Sequence, residues 1–400
     1  MTASTGWPGP CTTCLPARMS EPAVSDRPLR ILGVGRGRSL IFLRWAWALA
    51  ELGHDVHIVS PVFRDDMPEE LSMLTTHDIT KLGIGTRIPG LRRTRFGPAI
   101  RRLAADIKPD VVHAHYLLPY GHWAAEADVH PLVMSPWNTD IFTYGRERPR
   151  GRKWVAQSIA AGDRFVVSSL GNTEETVRLG ADPARIDRIV WYVDLRPFGP
   201  GMRDHAALAA RFGWPEDSLI VLSLRNYREN TNLDVVLRAF ARAHAEEPRA
   251  RLILAAREGV MTETVRGWVD DLGVGDAVRM HFIPPPELPF FCASSDLAVS
   301  LASTDATPAS MLECMASRLP LVMGDAITID EWITQGEGGE LVQCRDEDAV
   351  TAALLRLMRD PELRAAYGDR NLRVVAERLP DHPGVMLERV YRGMLAANGR

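Results

Sequence analysis

Two carboxylates stand eight positions apart in the stretch STDATPASMLECMASRLPLVMGD, residues 303–325. Asp305 opens a Thr/Pro-rich turn, and Glu313 lies inside an otherwise apolar helical run. Thr307 can cap that helix, and Pro308 fits its first position. A helix start carries roughly half a positive charge, which suits a phosphate, and each carboxylate can accept the hydrogen bonds of a vicinal diol. The pattern fits a sugar-nucleotide site; a solvated turn with one charge on a helix rim is the alternative.

Two arginines follow a predicted buried strand in the segment LSLRNYRENTNLD. Arg225 comes directly after the strand, and Arg228 is three positions further on. A guanidinium group at that point can hold a diphosphate through two parallel hydrogen bonds. An ordinary charged turn in solvent gives the same local sequence, so these residues alone do not decide between the two interpretations.

A glycine-containing loop, GVGRGRS at residues 33–39, follows the first predicted strand. The dinucleotide fingerprint GxGxxG requires a third glycine, but Arg38 or Leu40 occupies that place. No acidic residue follows at the end of the second strand, which reads HIVSP. We therefore disfavour a nicotinamide dehydrogenase and expect no bound cofactor. The exposed amides and two arginines of the loop can instead hold an anion or approach a substrate closely.

Two histidines stand two positions apart in the predicted strand DVVHAHYLLP. A metal site would need further ligands, and none is suitably spaced. His115 lies at the carboxyl end of the strand, so a functional role and a purely structural one are equally consistent with it, whereas for His113 we favour the structural one. A polar cluster ends a neighbouring strand, and its members are Trp137, Asn138, Thr139 and Asp140.

Strands that alternate with helices from Leu29 onward position these candidate residues. Such an alternation predicts βαβ units and mostly parallel sheets. The rhythm breaks at the Pro- and Gly-rich segment 197–201 and then restarts. We expect an α/β protein with two Rossmann-like, doubly wound domains that face a cleft. The predicted divisions are a disordered tail at 1–28, a first domain at 29–194, a second domain at 195–380, and a helix at 381–400 that returns to the first domain.

Composition is ordinary for a soluble globular protein, with 46% apolar and 24% charged residues. The first 194 residues carry 24 basic and 21 acidic side chains, which is too few basic residues to indicate a nucleic-acid partner. Five cysteines do not form a disulfide framework, and the pair Cys11 and Cys14 lacks the context of a metal or redox site. The tail has no signal-peptide core, and Met19 is an alternative start. We expect a cytoplasmic protein.

The motifs as a set resemble the family-4 retaining glycosyltransferases of the GT-B fold, over nearly the whole chain from Leu29. The stretch from SSDLAVSLASTDATPASMLECMASRLPLV through DEWITQGEGGELV to DPELR resembles the acid–seven–acid motif of that family and the segments that follow it. DVVHAHYLLP resembles its acceptor-side histidine strand, and WYVDLRPF its interdomain linker.

The resemblance implies a role for each motif residue in the transfer of a sugar from a nucleotide donor to a hydroxyl. Asp305, His115 and Arg225 would form the catalytic set, with Asp305 on the transferred sugar and Arg225 on the diphosphate. The donor site would consist of Glu313 on the ribose together with Arg225, Arg228, Thr307 and Ala309. The acceptor site would consist of Gly35, Gly37, Ser39, His115 and Asp140. Such enzymes generally need no bound metal, because side chains and helix dipoles neutralise the leaving diphosphate.

This chain departs from the family pattern at several of these places. The first acid is Asp305 where the family usually has Glu, and Thr231 stands where a Lys is usual, so that Arg228 is a candidate substitute. WNTD lacks the histidine of the corresponding strand end. A non-catalytic sugar-nucleotide-binding protein therefore stays open as an alternative, as does a nucleotide-sugar epimerase, which fits the motifs less well.

The acceptor class implied by the resemblance is a glycan, a lipid-linked carrier or a small metabolite. The segment Arg87–Lys108 holds seven basic residues and one acid around an amphipathic run. We favour a core-packed helix with a solvated face for this segment, and peripheral contact with a membrane is the alternative.

Overall fold

The computed structural model describes residues 27–63, 72–82, 96–137, 139–144, 149–190, 193–256, 259–303, 307–326, 328–379, 382–397 and 399. Asp305, Asn138 and the predicted tail up to residue 26 lie outside the described residues.

The first half of the chain forms a parallel sheet in the order β3-β2-β1-β4-β5-β6-β7. Its strands are β1 Arg30–Val34, β2 Asp55–Ser60, β3 Thr75–Asp78, β4 Val111–His115, β5 Leu132–Ser135, β6 Arg164–Val167 and β7 Ile186–Arg188. The helices between them are α1 Leu40–Glu51, α2 Gly97–Ile107, α3 His122–Ala127, α4 Pro149–Ala161 and α5 Leu170–Arg178.

Burial explains why the central strands are apolar. Strand β1 is buried from Ile31 to Val34, and β4 is buried along its whole length because both faces of a central parallel strand are covered. Helix α1 begins after Ser39, which caps it, and the chain leaves it through Gly53 at φ 86°, a backbone conformation that favours glycine. The carboxyl ends of β1, β4 and β5 therefore bring the glycine loop, His115 and the 137–140 segment to one edge of the sheet.

The second half repeats the arrangement, with the strand order β10-β9-β8-β11-β12-β14-β13. Its strands are β8 Leu219–Ser223, β9 Ala250–Leu254, β10 Val278–Met280, β11 Leu297–Ser300, β12 Leu321–Gly324, β13 Thr334–Gln335 and β14 Gly338–Val342. Its helices are α6 His205–Arg211, α7 Leu233–Glu246, α8 Thr262–Asp271, α9 Leu288–Ser294, α10 Ala309–Ala316, α11 Glu347–Arg359 and α12 Pro361–Arg378. The order changes direction between β8 and β11, which is the switch point where ligands bind in such sheets.

The last helix, α13 Pro383–Ala397, packs against α1 of the first sheet. Gly384 makes this contact close, because a Cβ atom there would stand 2.4 Å from the carbonyl oxygen of Ala48. The chain thus passes between the two halves twice, near Arg196 and near His382. Both passages contact one carboxylate oxygen at the end of α1: Glu51 Oε2 accepts a hydrogen bond from Arg196 Nη2 at 2.9 Å and lies 2.9 Å from His382 Nε2. The division of domains at 194/195 and 380/381 stays a prediction.

Helix α2 buries Ile100, Leu103 and Ile107, while Arg101 and Arg102 are exposed. The rest of the basic segment, up to residue 95, lies outside the described residues. Within the described ranges, every helix is too short or too polar to cross a bilayer. Contact of α2 with a membrane stays a prediction.

Candidate active site

Arg225 lies at the switch point of the second sheet, two residues beyond β8. Its Nε donates to the hydroxyl of Ser300, the last residue of the neighbouring strand β11, at 2.5 Å. The two residues line a small cavity together with Ser310 and Met311 from the first turn of α10. The predicted diphosphate-binding arginine and the predicted anion-binding helix start therefore share one cavity.

Helix α10 begins one residue later than the sequence indicated. Pro308, not Thr307, occupies the capping position, and the Pro308 side chain makes no capping hydrogen bond. The expectation that Thr307 caps the helix is wrong, because its Oγ1 donates instead to the carbonyl oxygen of Ser168 in the first half of the chain, at 2.9 Å. Ala309 is the first helical residue. The Pro308 ring offers no acceptor to the first amides of this turn, and an anionic ligand could supply one.

Glu313 lies on the buried side of α10, with 5% of its surface exposed. Arg44 of α1, in the first half of the chain, places Nη1 3.8 Å from Glu313 Oε1. Burial raises the pKa of Glu313, and the positive charge of Arg44 opposes that rise. The carboxylate therefore faces the first half of the chain rather than open solvent, and a cation from that half helps it to stay ionised.

Thr231 takes part in the loop that carries the two arginines. It is buried, and its hydroxyl donates towards the carbonyl oxygens of Arg228 at 2.6 Å and Asn226 at 3.1 Å. The side chain of Arg228 is exposed. Threonine at this position therefore shapes the loop backbone, and the cationic group that is usual in the family has no equivalent at residue 231.

The glycine loop of the first half packs too closely for side chains. A Cβ atom at Gly35 would stand 2.7 Å from the ring of Phe42, and one at Gly37 would stand 2.7 Å from the carbonyl oxygen of Val62. The amide of Gly37 donates to Ser60 Oγ at 2.9 Å. Ser39 caps α1, with its Oγ 3.5 Å from the amide of Phe42. The loop is fixed in place at the start of α1, beside the carboxyl end of β4.

His115 is 1% exposed and lies among aromatic rings at the end of β4. The ring centroid of Trp45 is 4.5 Å away, and that of His113 is 4.2 Å away. Burial, reinforced by His113, holds the pKa of His115 well below its ordinary value. The imidazole is therefore neutral at physiological pH, and it can act as a hydrogen-bond group but not as a standing cation.

Both ring nitrogens of His113 have protein partners, which is consistent with the structural role that we favour from its sequence position. Its Nε2 lies 2.8 Å from Ser135 Oγ, and its Nδ1 lies 2.5 Å from the hydroxyl of Tyr391 in α13. The same hydroxyl accepts a hydrogen bond from Trp45 Nε1 at 2.9 Å. Tyr391 thereby connects the last helix to the two rings that pack against His115.

Asp140 is fully buried and its carboxylate accepts backbone hydrogen bonds. The amide of Leu117 donates to Oδ2 at 2.7 Å, and the amide of Trp137 donates to Oδ1 at 3.1 Å. Asp140 therefore fixes the turns that follow β4 and β5. Its assignment to the acceptor site stays a prediction. Within the described ranges, no three His, Cys, Asp or Glu side chains come together as a metal site.

Comparison with protein families identifies the chain. The model of Glycosyl transferases group 1 matches residues 204–373, and that of Glycosyl transferase 4-like matches residues 30–168. The chain is a group 1, family-4-like glycosyltransferase. The first matched segment contains strands β1 to β6, and the second contains every strand of the second sheet.

Relatives and solved structures agree with that assignment. The glycosyltransferase is 27% identical over 380 residues to D-inositol 3-phosphate glycosyltransferase of Acidothermus cellulolyticus, covering 88% of this chain and 84% of the relative. It is 24% identical to N-acetyl-alpha-D-glucosaminyl L-malate synthase of Bacillus anthracis, covering 80% of this chain and 84% of the relative.

Two solved structures show that the fold is GT-B. Sucrose-phosphate synthase from Thermosynechococcus elongatus matches with a TM-score of 0.74 at 18% identity, over 93% of this chain and all of that chain. WaaG, a glycosyltransferase involved in lipopolysaccharide biosynthesis, matches with a TM-score of 0.66 at 14% identity, over 90% of this chain and 99% of that one.

Sequence reasoning about this glycosyltransferase missed two residues that contact the predicted site. Arg44 is the single basic residue of the apolar helical run LIFLRWAWALAELG, and Tyr391 is a single tyrosine in the last helix. Their partners are distant in sequence, since Arg44 meets Glu313 and Tyr391 meets His113. In the sequence, the signal for each of these two residues is a polar group on an otherwise apolar face of a helix.

Proposed function

We propose that this glycosyltransferase moves a sugar from a nucleotide-sugar donor to a hydroxyl acceptor, with retention of anomeric configuration and without a bound metal. One observation carries the proposal: Arg225 and Ser300 meet Ser310 and Met311 of the first turn of α10 around one small cavity at the switch point of the second sheet. A guanidinium group beside a helix start is an arrangement that suits a diphosphate.

On the donor side, Arg225 and the amides of α10 from Ala309 onward would stabilise the charge that develops on the leaving diphosphate. Fixed positive groups of this kind are often the largest contribution to catalysis. Arg228 and Thr307 would lie at the margins of the diphosphate. Glu313 would accept hydrogen bonds from the ribose hydroxyls, and Asp305 would contact the transferred sugar.

On the acceptor side, Gly35, Gly37 and Ser39 would line the approach to the sugar, with His115 and Asp140 beyond them. We propose front-face attack, in which the leaving phosphate helps to remove the proton of the acceptor hydroxyl. No protein nucleophile is then needed. The neutral His115 would orient the acceptor or the transferred sugar by hydrogen bonding.

The names of similar proteins support a nucleotide-sugar donor. The Anabaena protein Alr3699/HepE, which matches with a TM-score of 0.74 at 14% identity, was solved in complex with UDP-glucose. We propose a UDP-sugar as the first donor to test. The relatives named for D-inositol 3-phosphate and for L-malate act on small hydroxylated acceptors, so we propose a hydroxylated acceptor for this chain. We further propose that the enzyme works in the cytoplasm.

The experiment begins with thermal stabilisation by a panel of nucleoside diphosphates. Hydrolysis or transfer is then measured with nucleotide sugars that carry the best base. We expect UDP to raise the melting temperature, and Arg225→Met to remove that effect, whereas Arg279→Met, which alters a half-buried arginine of β10, keeps it. Stabilisation without any turnover would contradict the enzyme and favour the non-catalytic binder.

Asp305 has a test of its own. Asp305→Ala is expected to abolish turnover while the affinity for the nucleoside diphosphate is largely kept, because the proposed contact is with the sugar only. Loss of nucleotide affinity with intact turnover would contradict that assignment.

A further inference from the structure

A cavity of about 690 Å³ lies beside the acceptor edge of the first sheet. Its volume falls in the range of small-molecule sites. The lining is mainly apolar and aromatic, and it includes Tyr116, Leu118, Pro119, Tyr144, Pro149 and Trp154. None of the roles given above uses this space.

The cavity is connected to His115 through two ring contacts. Trp137 lies with its ring centroid 6.2 Å from that of His115, and Tyr116 lies 5.9 Å from Trp137 on the other side. Tyr116 is also the residue that follows His115 at the end of β4. A ligand in the cavity would therefore contact Tyr116, which is joined to His115 along the chain and through the ring of Trp137.

The backbone of Tyr116 is held in an unusual conformation, with φ 71° and ψ 109°. Residues other than glycine rarely adopt positive φ, and such exceptions cluster at functional sites. Neighbouring hydrogen bonds enforce it: the amide of Tyr116 donates to the carbonyl oxygen of Ser135 at 2.9 Å, and buried Asp140 accepts from Leu117. The strained backbone presents the ring to the cavity.

A positive charge lies near the same rings. Burial raises the pKa of Tyr116 to about 12 and the charge of Asp140 adds to that rise, while Arg36 of the glycine loop acts in the opposite direction there and at Tyr120. The surroundings of the cavity therefore combine an apolar interior with a cationic group on the side of the glycine loop. That combination suits a molecule with a polar head and a hydrocarbon body.

We propose that this cavity binds the apolar part of an acceptor alcohol, while its hydroxyl-bearing head lies beside His115 and the glycine loop. This inference rests on the proposed function and names its acceptor class as an amphipathic alcohol. Large apolar side chains bind the hydrocarbon part of a ligand favourably, because the contact removes hydrocarbon surface from water.

Methyl, octyl and phenyl β-glucosides test the inference, because they share one hydroxylated head. Binding to the full-length protein is measured by saturation-transfer NMR without donor, with octyl glucoside below its micelle-forming concentration. We expect the octyl and phenyl compounds to bind at least about tenfold more tightly than the methyl compound, the size of effect that small apolar groups produce in hydrophobic pockets. Comparison of the octyl with the phenyl compound shows whether the cavity prefers an aliphatic or an aromatic group in the apolar part of the acceptor.

Trp154→Ala is expected to reduce that preference to less than about threefold, and Trp154→Phe to retain it. Trp268→Ala, which removes a half-buried indole in the second half of the chain, is the matched control and keeps the preference. If Trp154→Ala does not fold, Leu118→Ala serves as the second variant. Equal binding of the three glucosides by the unaltered protein would overturn the inference, and so would an equal loss for all three in Trp154→Ala.

Two outcomes separate this inference from the proposed function. Preferential binding of the apolar glucosides with no sugar transfer or donor hydrolysis would support the cavity and contradict the enzyme. Turnover of a nucleotide sugar with no preference among the glucosides would support the enzyme and overturn the cavity assignment.

Discussion

Arg44 of the first half of the chain reaches the buried Glu313 of the second half, with 3.8 Å between Nη1 and Oε1. This pair crosses the cleft at the carboxylate that we propose binds the donor ribose. The two halves therefore share control of one donor-site group, and the charge on Glu313 depends on the position of α1.

Replacing Arg44 with Met should weaken nucleotide binding, because Glu313 loses the cation that opposes the effect of burial on its pKa. The side chain of Arg44 is 39% exposed, so solvent screens the pair and we expect Kd for UDP to rise by up to about fivefold at pH 7. Without Arg44 the pKa of Glu313 is higher. The loss of UDP affinity that accompanies protonation of Glu313 should therefore occur at a higher pH in the variant. Calorimetric titrations from pH 5 to 8 measure both effects.

Arg44→Lys is the conservative comparison and should keep most of the affinity. Arg266→Met removes an arginine that pairs with Glu263 on the surface of α8, and it should leave the pH profile of binding unchanged. An Arg44→Met profile that superimposes on that of the unaltered protein would contradict the ionic role.

Glu313→Gln should stabilise the free protein and weaken its response to nucleotide. Burial raises the folded-state pKa of Glu313, so the folded state binds its proton more tightly and loses stability as pH rises through that pKa. Glutamine carries no charge to bury, and we expect a melting temperature about 2–4 °C higher at pH 7, with the difference shrinking towards pH 4. Scanning calorimetry with and without UDP tests this.

The more severe Glu313→Ala should weaken stabilisation by nucleotide by about 1–3 kcal/mol, since the ribose hydroxyls lose their partner. Unchanged UDP affinity in both variants would contradict the ribose role.

Tyr391→Phe should destabilise the protein and impair turnover together. The variant leaves Trp45 Nε1 and His113 Nδ1 without the hydroxyl that both contact, in a site with 0% exposure of the tyrosine. Stranding buried polar groups costs about 1–3 kcal/mol, and urea unfolding measures it. Because those rings pack against His115, we also expect the KM for acceptor to rise.

Tyr367→Phe is the matched control, since it removes a buried hydroxyl that donates to Glu340 at 2.7 Å in the second half of the chain. It should lower stability without changing the KM for acceptor. An equal change in KM in both variants would indicate a general effect of instability rather than one transmitted through His115.

Glu331→Ala should loosen the contact between the two halves. The Glu331 carboxylate accepts hydrogen bonds from the amide of Leu170, at the start of α5, at 2.6 Å and from Arg188 at 3.0 Å. We expect a larger radius of gyration by small-angle scattering and more hydrolysis of donor by water. Burial raises the pKa of Glu331, so in the unaltered protein the contact should weaken as pH falls through a value above 4.5.

Glu337→Ala, which alters an exposed acid in the same segment, is the control and should leave the scattering curve unchanged. No difference in scattering or hydrolysis between the two variants would show that Glu331 does not hold the halves together.

The central strands of both sheets were predictable because they are continuous apolar runs between helical patterns. Strand β8, LIVLS, is buried at every position. A strand that is buried throughout must consist mainly of apolar residues, and that apolar run is the pattern that predicts it. The edge strands carry no such signal. Strand β3 reads TTHD and β13 reads TQ, and their partly solvated positions tolerate polar residues.

The candidate site was predictable only in its local parts. Arg225 could be placed because it follows a strand at a switch point, and Glu313 because it follows a strand–turn–helix pattern. The sequence could not predict that Pro308 rather than Thr307 occupies the capping position of α10. The Thr307 hydroxyl donates instead to the carbonyl oxygen of Ser168, a residue 139 positions away. No local pattern encodes such a partner.

The shared oxygen of Glu51 has a mechanical consequence. If the two passages of the chain between the halves contacted separate points of α1, the halves could both twist and slide relative to each other. Instead, both passages contact one oxygen atom at the end of α1. A rotation of the halves about this oxygen would keep both contacts, whereas a sliding motion would break at least one of them. Such a rotation would open and close the cleft, and each closure would return Arg44 to the same position beside Glu313.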